Sequence, residues 1–169
     1  MDFQFTEEQI MFKQSLRDLL EKEFGPVVDQ RDKQGPLTRE EAIDVMKKLK
    51  KVGVGLDPES ITDLLDPVMF GIIAEEFGRV WPSLLPLFGM GAIPAIFVPS
   101  CSDEVKGRLL PRLEKGEFIG CFAETEPDAG CDTSNLGTTA RLEGDFYVVN
   151  GRKSWISNAT IADTAFVGV

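Results

Sequence analysis

Residues 118–132 read FIGCFAETEPDAGCD, and the chain changes character at this stretch. Nine of the ten prolines come before residue 118, whereas six of the nine threonines come after it. The stretch opens as an apolar run, which is typical of a buried strand, and continues as a polar loop. The hydrophobic pattern is helical on its N-terminal side and strand-like on its C-terminal side. We therefore predict an α+β fold that begins with an all-α helical bundle.

Helical patterns account for most of the N-terminal side. The predicted helices begin at Thr6 and Thr38, cover residues 68–80 and 84–98, and begin again at Ser102. The first two starts have the form of a capping box, and apolar residues follow each at helical spacing. A proline, Pro94, predicts a kink or a break in the fourth helix.

Short β patterns fill the C-terminal side. The predicted strands cover residues 118–123, 138–142, 146–149, 153–156 and 164–169. Gly144-Asp145 predicts one turn, and Asn150-Gly151 is the strongest two-residue hairpin signal in the chain. The last strand runs to the final residue, so we expect it to expose an edge to a continuation or to a partner.

Charge and composition exclude several functions. The 169 residues carry 18 basic and 28 acidic side chains, a formal net charge of −10, which argues against a nucleic-acid partner. The chain has no histidine, so it cannot itself supply a Ser-His or Cys-His catalytic pair. The three cysteines, Cys101, Cys121 and Cys131, include no CxxC pair, so we expect neither a metal site nor a disulfide framework.

Targeting signals are also not visible. The N-terminal residues lack the basic and apolar regions of a signal peptide. The most apolar stretch, residues 84–98, contains two prolines and is too short for a membrane span. Together with reduced cysteines, these features predict a cytoplasmic protein.

Two polar clusters on the β side could hold a ligand. In the loop of residues 125–132, Gly130 allows close backbone approach, and Thr125 and nearby N–H groups could bind an anion or the edge of a heteroaromatic ring. An ordinary turn is the alternative interpretation. In residues 154–158 (SWISN), hydroxyl groups flank Trp155, whose indole could contact a cofactor or pack in a core. The chain has no Walker loop and no GxGxxG motif after a strand, so we do not expect a Rossmann site.

These two clusters together resemble the acyl-CoA dehydrogenase family. Residues 122–132 (FAETEPDAGCD) match the family's TEPxAGSD loop, and residues 150–159 (NGRKSWISNA) match its NGxKxWI(T/S)N segment. Upstream, residues 5–9 (FTEEQ), 75–79 (EEFGR) and 110–117 (LPRLEKGE) fit the same family in order. The resemblance extends over the whole chain.

The resemblance implies a fold and an activity. The family has an α-helical bundle, a small antiparallel β-barrel domain and a second helical bundle. By this match, residues 1–117 are the N-terminal helical domain and residues 118–169 are the start of the barrel domain, with the C-terminal helical domain absent. The family uses FAD to oxidise an acyl-CoA thioester to the 2-enoyl-CoA, as in fatty acid metabolism. A carboxylate removes the α-proton, the β-hydride goes to the flavin, and the electrons pass to an electron-transfer flavoprotein.

The resemblance also implies site residues. The positions that would bind the flavin are Phe122, Ala123, Thr125, Gly130, Cys131, Trp155, Ile156 and Ser157. Thr125 would hydrogen-bond the ring system, Trp155 would pack beside it, and Ser157 would offer its hydroxyl near N5. Cys131 would lie near the flavin phosphates and bind the acyl-CoA, although the family usually has serine there and a thiol is a weaker hydrogen-bonding group.

The catalytic carboxylate of the family would lie beyond Val169, so the segment alone is not expected to complete the reaction. Glu124 and Glu126 are candidates for the base by residue type only. Two alternatives stay open: a non-catalytic or split-subunit interaction protein of the same fold, and an enoyl-CoA reductase or acyl-CoA oxidase variant. The expected assembly is a homo-oligomer, such as a tetramer, or a complex with a completing C-terminal chain.

Overall fold

Helices make up the first two thirds of the structure, a computed structural model that describes residues 4–169 apart from the side chains of residues 63 and 64. The α-helices are α1 (Glu7–Glu23), α2 (Val28–Asp32), α3 (Arg39–Lys50), α4 (Ser60–Leu64), α5 (Pro67–Val80), α6 (Leu84–Phe97) and α7 (Asp103–Glu114). A 3₁₀ turn, Val98–Ser100, links the last two. The five helices predicted from the sequence are therefore confirmed, and two short ones are added.

The capping residues start these helices as predicted. The Thr6 hydroxyl accepts from the backbone N–H of Gln9 (3.2 Å), whose side chain accepts from the Thr6 N–H (3.0 Å). Thr38 and Glu41 form the same reciprocal pair at the start of α3. Each such cap stabilises its helix by about 1 kcal/mol.

Helix α6 passes through Pro94 without a break. It extends from Leu84 to Phe97, and Pro94 is buried inside it. Because α6 carries no charged residue and packs on several sides, tertiary contacts compensate for the backbone hydrogen bond that proline removes.

One hydrophobic core joins the helices. Its members include Leu16 and Leu20 of α1, Met46 and Leu49 of α3, Phe77 of α5, Phe88 of α6, Leu113 of α7, and the following Phe118 and Ile119. Phe77 and Phe88 meet edge to face with ring centroids 6.0 Å apart. The core thus continues from the helical bundle to the two residues that directly precede the first strand.

A buried ion pair joins α1 to α5. Glu76 has no exposed side-chain area and accepts from Arg17 Nε (3.0 Å), Arg17 Nη2 (2.7 Å) and Arg79 Nε (3.2 Å). These hydrogen bonds, that of Arg17 first, lower the Glu76 pKa although burial opposes them.

The β side contains two separate pairs of strands. β1 (Gly120–Ala123) pairs in parallel with β4 (Thr164–Val167), and β2 (Thr139–Glu143) pairs antiparallel with β3 (Phe146–Asn150). The α+β fold class, a helical domain followed by a small β region, is confirmed. Within residues 4–169 the strands do not close into a barrel.

The predicted Asn150-Gly151 hairpin is wrong. The only two-residue turn between paired strands in residues 4–169 is Gly144-Asp145, where Gly144 adopts a φ of 62°. Gly151 serves packing instead, because a Cβ there would lie 2.1 Å from Thr138 Oγ1. The predicted strand at residues 153–156 is also wrong, since these residues form an irregular loop.

Asp163 ties the two parts together. Its carboxylate accepts from Arg39 Nη2 of α3 (3.0 Å) and from the backbone N–H of Ile119 (3.1 Å), and it forms an ion pair with Arg112 Nη2 of α7 (2.8 Å). Its own N–H donates to the Ile119 carbonyl (2.7 Å).

None of the helices described in residues 4–169 is long and apolar enough to cross a bilayer.

Candidate functional site

The two motifs singled out in the sequence lie side by side. The backbone N–H of Ser154 donates to the carbonyl oxygen of Thr125 (2.9 Å), and Lys153 Nζ donates to the carbonyl oxygen of Glu124 (2.9 Å). The loop that leaves β1 and the loop that follows β3 therefore form one surface. We call these segments, residues 124–132 and 151–158, the paired loops.

Glu126 holds the paired loops together. The residue is 8% exposed, and its carboxylate accepts from Lys153 Nζ (2.8 Å), Gly137 N–H (2.6 Å), Thr138 N–H (2.9 Å) and the Thr138 hydroxyl. These contacts, that of Lys153 first, lower its pKa to about 2. A carboxylate so fully occupied is a poor proton acceptor, so this geometry argues against Glu126 as the base.

Trp155 projects from the paired loops. The residue is 93% exposed and adopts a φ of 59°, a left-handed conformation that is rare for a bulky side chain. Such a conformation costs on the order of 1–2 kcal/mol. An exposed indole held in a strained backbone conformation is typical of a ligand-binding position, whereas a tryptophan of the core would be buried.

Asn158 anchors the other end of this loop, which residue patterns alone did not indicate. Its side-chain amide Nδ2 lies 3.0 Å from the carbonyl oxygen of Leu87 and 3.1 Å from that of Gly120. The available signal was the residue type, because asparagine tolerates the left-handed region better than most residues; here its φ is 67°.

A cavity of about 260 Å³ opens beside Ser157. It lies between the start of α6, the segment before α3 and residues 157–161. Apolar side chains such as Leu87, the hydroxyls of Ser83 and Ser157, and the amide residue Asn158 line it. Its lining carries no charged side chain. This cavity is therefore suited to a neutral group near the exposed Ser157 hydroxyl.

The remaining predicted site residues differ in exposure. Phe122 is half-buried and packs on Phe166 (ring centroids 5.7 Å apart), whereas Ala123 is buried. Gly130 and Cys131 are exposed in the loop, and a Cβ on Gly130 would meet no atom within 4 Å. The space that glycine leaves there is thus open to a ligand.

Local contacts also order the C-terminal end of the loop formed by residues 124–132. Asp132 accepts from the Ser134 hydroxyl (2.6 Å) and the Ser134 N–H (3.3 Å), which starts the 3₁₀ turn Thr133–Asn135. Hydrogen bonds from Ser134 and then Asn135 lower the Asp132 pKa. The exposed Cys131 therefore precedes a fixed turn.

Two family profiles match the chain. Residues 6–117 match the profile described as acyl-CoA dehydrogenase, N-terminal domain, and residues 121–169 match acyl-CoA dehydrogenase, middle domain.

Known proteins resemble the chain over almost its whole length. Glutaryl-CoA dehydrogenase of Desulfococcus multivorans is 32% identical over 96% of the chain and 43% of its own length. The crystal structure of acyl-CoA dehydrogenase from Geobacillus kaustophilus is 33% identical with a TM-score of 0.76, and the match covers 99% of this chain and 44% of that protein's chain. The crystal structure of a glutaryl-CoA dehydrogenase from Mycobacterium smegmatis in complex with FADH2 is 26% identical with a TM-score of 0.78, and the match covers 96% of this chain and 42% of that protein's chain.

The chain thus spans less than half the length of each of these proteins. The profile matches and the shared fold nevertheless agree over both the helical and the β side. The chain belongs to the acyl-CoA dehydrogenase family.

Proposed function

We propose that this chain is part of an FAD-dependent dehydrogenase that converts an acyl-CoA thioester to the 2-enoyl-CoA. Residues 1–117 act as its N-terminal helical domain and residues 118–169 as the start of its middle β domain. The observation that carries the proposal is Trp155, which is 93% exposed in a strained conformation at the meeting point of the two family motifs.

The chemistry of the paired loops fits a flavin. An isoalloxazine ring has flat faces for the exposed indole of Trp155 and polar edges for the hydroxyls of Thr125 and Ser157. The remaining residues of the proposed flavin site are Phe122, Ala123, Gly130, Cys131 and Ile156. Cys131, exposed beside the open space at Gly130, would approach the flavin phosphates and the acyl-CoA.

When bound, the flavin would accept the hydride from the β-carbon of the acyl group. The chain's own residues bind and orient: Lys153 and Glu126 hold the paired loops in register, and Ser157 presents a hydroxyl beside the cavity next to α6. The Glu126 carboxylate is already bound by Lys153, Gly137 and Thr138, and the family resemblance puts the base beyond Val169, so we propose that a carboxylate outside residues 4–169 removes the α-proton.

The partners follow from the same reaction. We propose an acyl-CoA substrate, an electron-transfer flavoprotein as acceptor, and assembly as a homo-oligomer or with a completing chain. Three unpaired cysteines support a reducing compartment, and we propose the cytoplasm.

The test uses the full-length protein that contains this chain. We expect it to bind FAD and to lose flavin absorbance under anaerobic conditions when a saturated acyl-CoA is added. Flavin that stays oxidised with every acyl-CoA tried, from glutaryl-CoA to long-chain substrates, would contradict the proposed reaction. A protein that binds no FAD would contradict the cofactor as well.

Trp155 gives the sharper prediction. Trp155→Ala should raise the FAD dissociation constant about tenfold, since stacking on an aromatic ring contributes on the order of 1 kcal/mol or more. The matched control is Tyr147→Ala, which removes another exposed ring (71%) on β3 away from the paired loops. Equal losses of FAD affinity in both variants would count against the proposed flavin face.

A further inference from the structure

A single side-chain amide connects the loop of Trp155 to two elements of the fold. Asn158 Nδ2 lies 3.0 Å from the Leu87 carbonyl oxygen and 3.3 Å from that of Pro86, both in the first turn of α6, and 3.1 Å from the Gly120 carbonyl oxygen in β1. An amide nitrogen has two hydrogens, so it divides them among three acceptors.

This contact is possible because α6 and β1 approach each other closely. A Cβ on Gly120 would lie 2.9 Å from Pro94 Cγ and 3.1 Å from the Gly91 carbonyl oxygen. A Cβ on Gly91 would lie 3.6 Å from the Gly120 nitrogen. The two glycines let the helix and the strand come within reach of one amide group.

The backbone around Asn158 is equally constrained. Asn158 adopts a φ of 67°, its carbonyl accepts from the Ile161 N–H (2.9 Å), and Ser154 N–H is bound to Thr125 (2.9 Å) at the other end of the loop. Trp155, with its own positive φ, and Ser157 therefore lie between two fixed points. Backbone strain such as that at Trp155 persists only where the surrounding structure fixes the segment.

We propose that Asn158 is a positioning residue, which through its amide holds Trp155 and Ser157 in their ligand-facing positions against α6 and β1. This inference rests on the proposed flavin site. It assigns to Asn158 no contact with the flavin or the substrate, and it predicts that the amide, rather than the left-handed backbone alone, is what the site requires.

Two substitutions separate the amide from the backbone. Asn158→Gly keeps a residue that adopts positive φ freely but removes the donor. Asn158→Asp keeps the size and the tolerance for positive φ, but it turns an acceptor with negative charge toward three carbonyl oxygens. The control is Asn150→Asp, which adds the same charge at an exposed position at the end of β3.

The experiment measures FAD affinity and amide hydrogen exchange in the full-length protein. We expect Asn158→Gly and Asn158→Asp to weaken FAD binding about tenfold or more and to accelerate exchange in residues 154–161, with α3 unchanged. Asn150→Asp should change neither quantity.

Wild-type affinity and wild-type exchange in the Gly variant would show that the backbone alone suffices and would overturn the inference. Equal acceleration in α3 would also overturn it, because Asn158 would then support the whole fold rather than this loop. If the wild-type protein binds no FAD, the proposed function fails, and the exchange data still decide the role of the amide.

Discussion

Glu126 shows how one carboxylate can fix the relative position of two loops. Its oxygens are shared among Lys153 and the adjacent residues Gly137 and Thr138, which come from two different segments. Removing its charge would leave the Lys153 side chain, which is only 12% exposed, without its carboxylate partner. We therefore treat Glu126 as the residue that sets the geometry of the paired loops.

Glu126→Gln should lower the free energy of unfolding at neutral pH, and the loss should depend on pH. The folded-state pKa of Glu126 is about 2, below its ordinary 4.5, so its ionised form stabilises the fold above about pH 4.5. This contribution disappears as the pH falls from about 4.5 toward about 2. Urea unfolding across this range should show the wild type and the variant converging. The exposed Asp128→Asn in the same loop is the control, and a difference that stays constant with pH would contradict the assignment.

At this scale the sequence identified two segments of interest but not the contacts between them. Residue types predicted a ligand site in residues 125–132 and 154–158, which stays a prediction, and the structure shows that the two segments meet at Thr125 and Ser154. The roles of Glu126 and Asn158 could not be predicted, because their partners lie far along the chain; Leu87 and Asn158 are 71 residues apart. A loop's function then depends on contacts that local patterns do not encode.

The position of a single helix depends on its buried charged groups as well as on its apolar face. Glu76 on α5 has no exposed side-chain area, whereas its neighbour Glu75 is 51% exposed and binds Lys13 (2.6 Å) at the surface. The two residues share a helix and differ mainly in burial, so they form a matched pair.

We predict that Glu76→Gln destabilises the fold by about 3 kcal/mol, because it leaves Arg17 and Arg79 without their buried carboxylate. Glu75→Gln should cost less than about 1 kcal/mol, the usual value for an exposed ion pair. Urea denaturation of both variants measures the difference. Similar losses would mean that α1 and α5 are joined by apolar packing alone.

Local rules predicted the helices better than the strands. The boxes at Thr6 and Thr38 contain their own hydrogen-bond partners, so the helix starts could be predicted from four residues each. The residues Asn150-Gly151 match a hairpin turn in the sequence. In the structure, glycine is required at position 151 because Thr138, 13 positions away, occupies the space that a side chain would fill. Strand pairing likewise joins β1 to the distant β4, which no short pattern specifies.

At the scale of the whole molecule, Asp163 is one of the residues that connect the helical side to the β side. The carboxylate is shared by Arg39 of α3 and Arg112 of α7, and the same residue exchanges two hydrogen bonds with Ile119 just before β1. Burial raises the Asp163 pKa, but Arg112, the Ile119 N–H and Arg39 together bring it below the ordinary value. The paired loops are thus oriented relative to α6 partly through this residue, since it lies between residues 157–161 and β4.

Asp163→Asn should therefore loosen the β side while leaving the helical core folded. The amide keeps the size of the side chain but not the charge that two arginines share, so we expect a loss of about 2–3 kcal/mol. In a Trp155→Phe background, fluorescence of the buried Trp81 reports on the helical core, and hydrogen exchange in residues 118–169 reports on the β side. The parent protein should unfold in one transition, whereas the variant's β side should open at lower urea than Trp81 reports. Asp145→Asn, in the exposed hairpin turn, provides the control.

Since a carboxylate with a lowered folded-state pKa stabilises above its unfolded pKa of about 3.9, the parent should approach the variant's behaviour as the pH falls below that value. Coincident transitions in the variant would mean that packing of Phe118 and Ile119 alone couples the two sides.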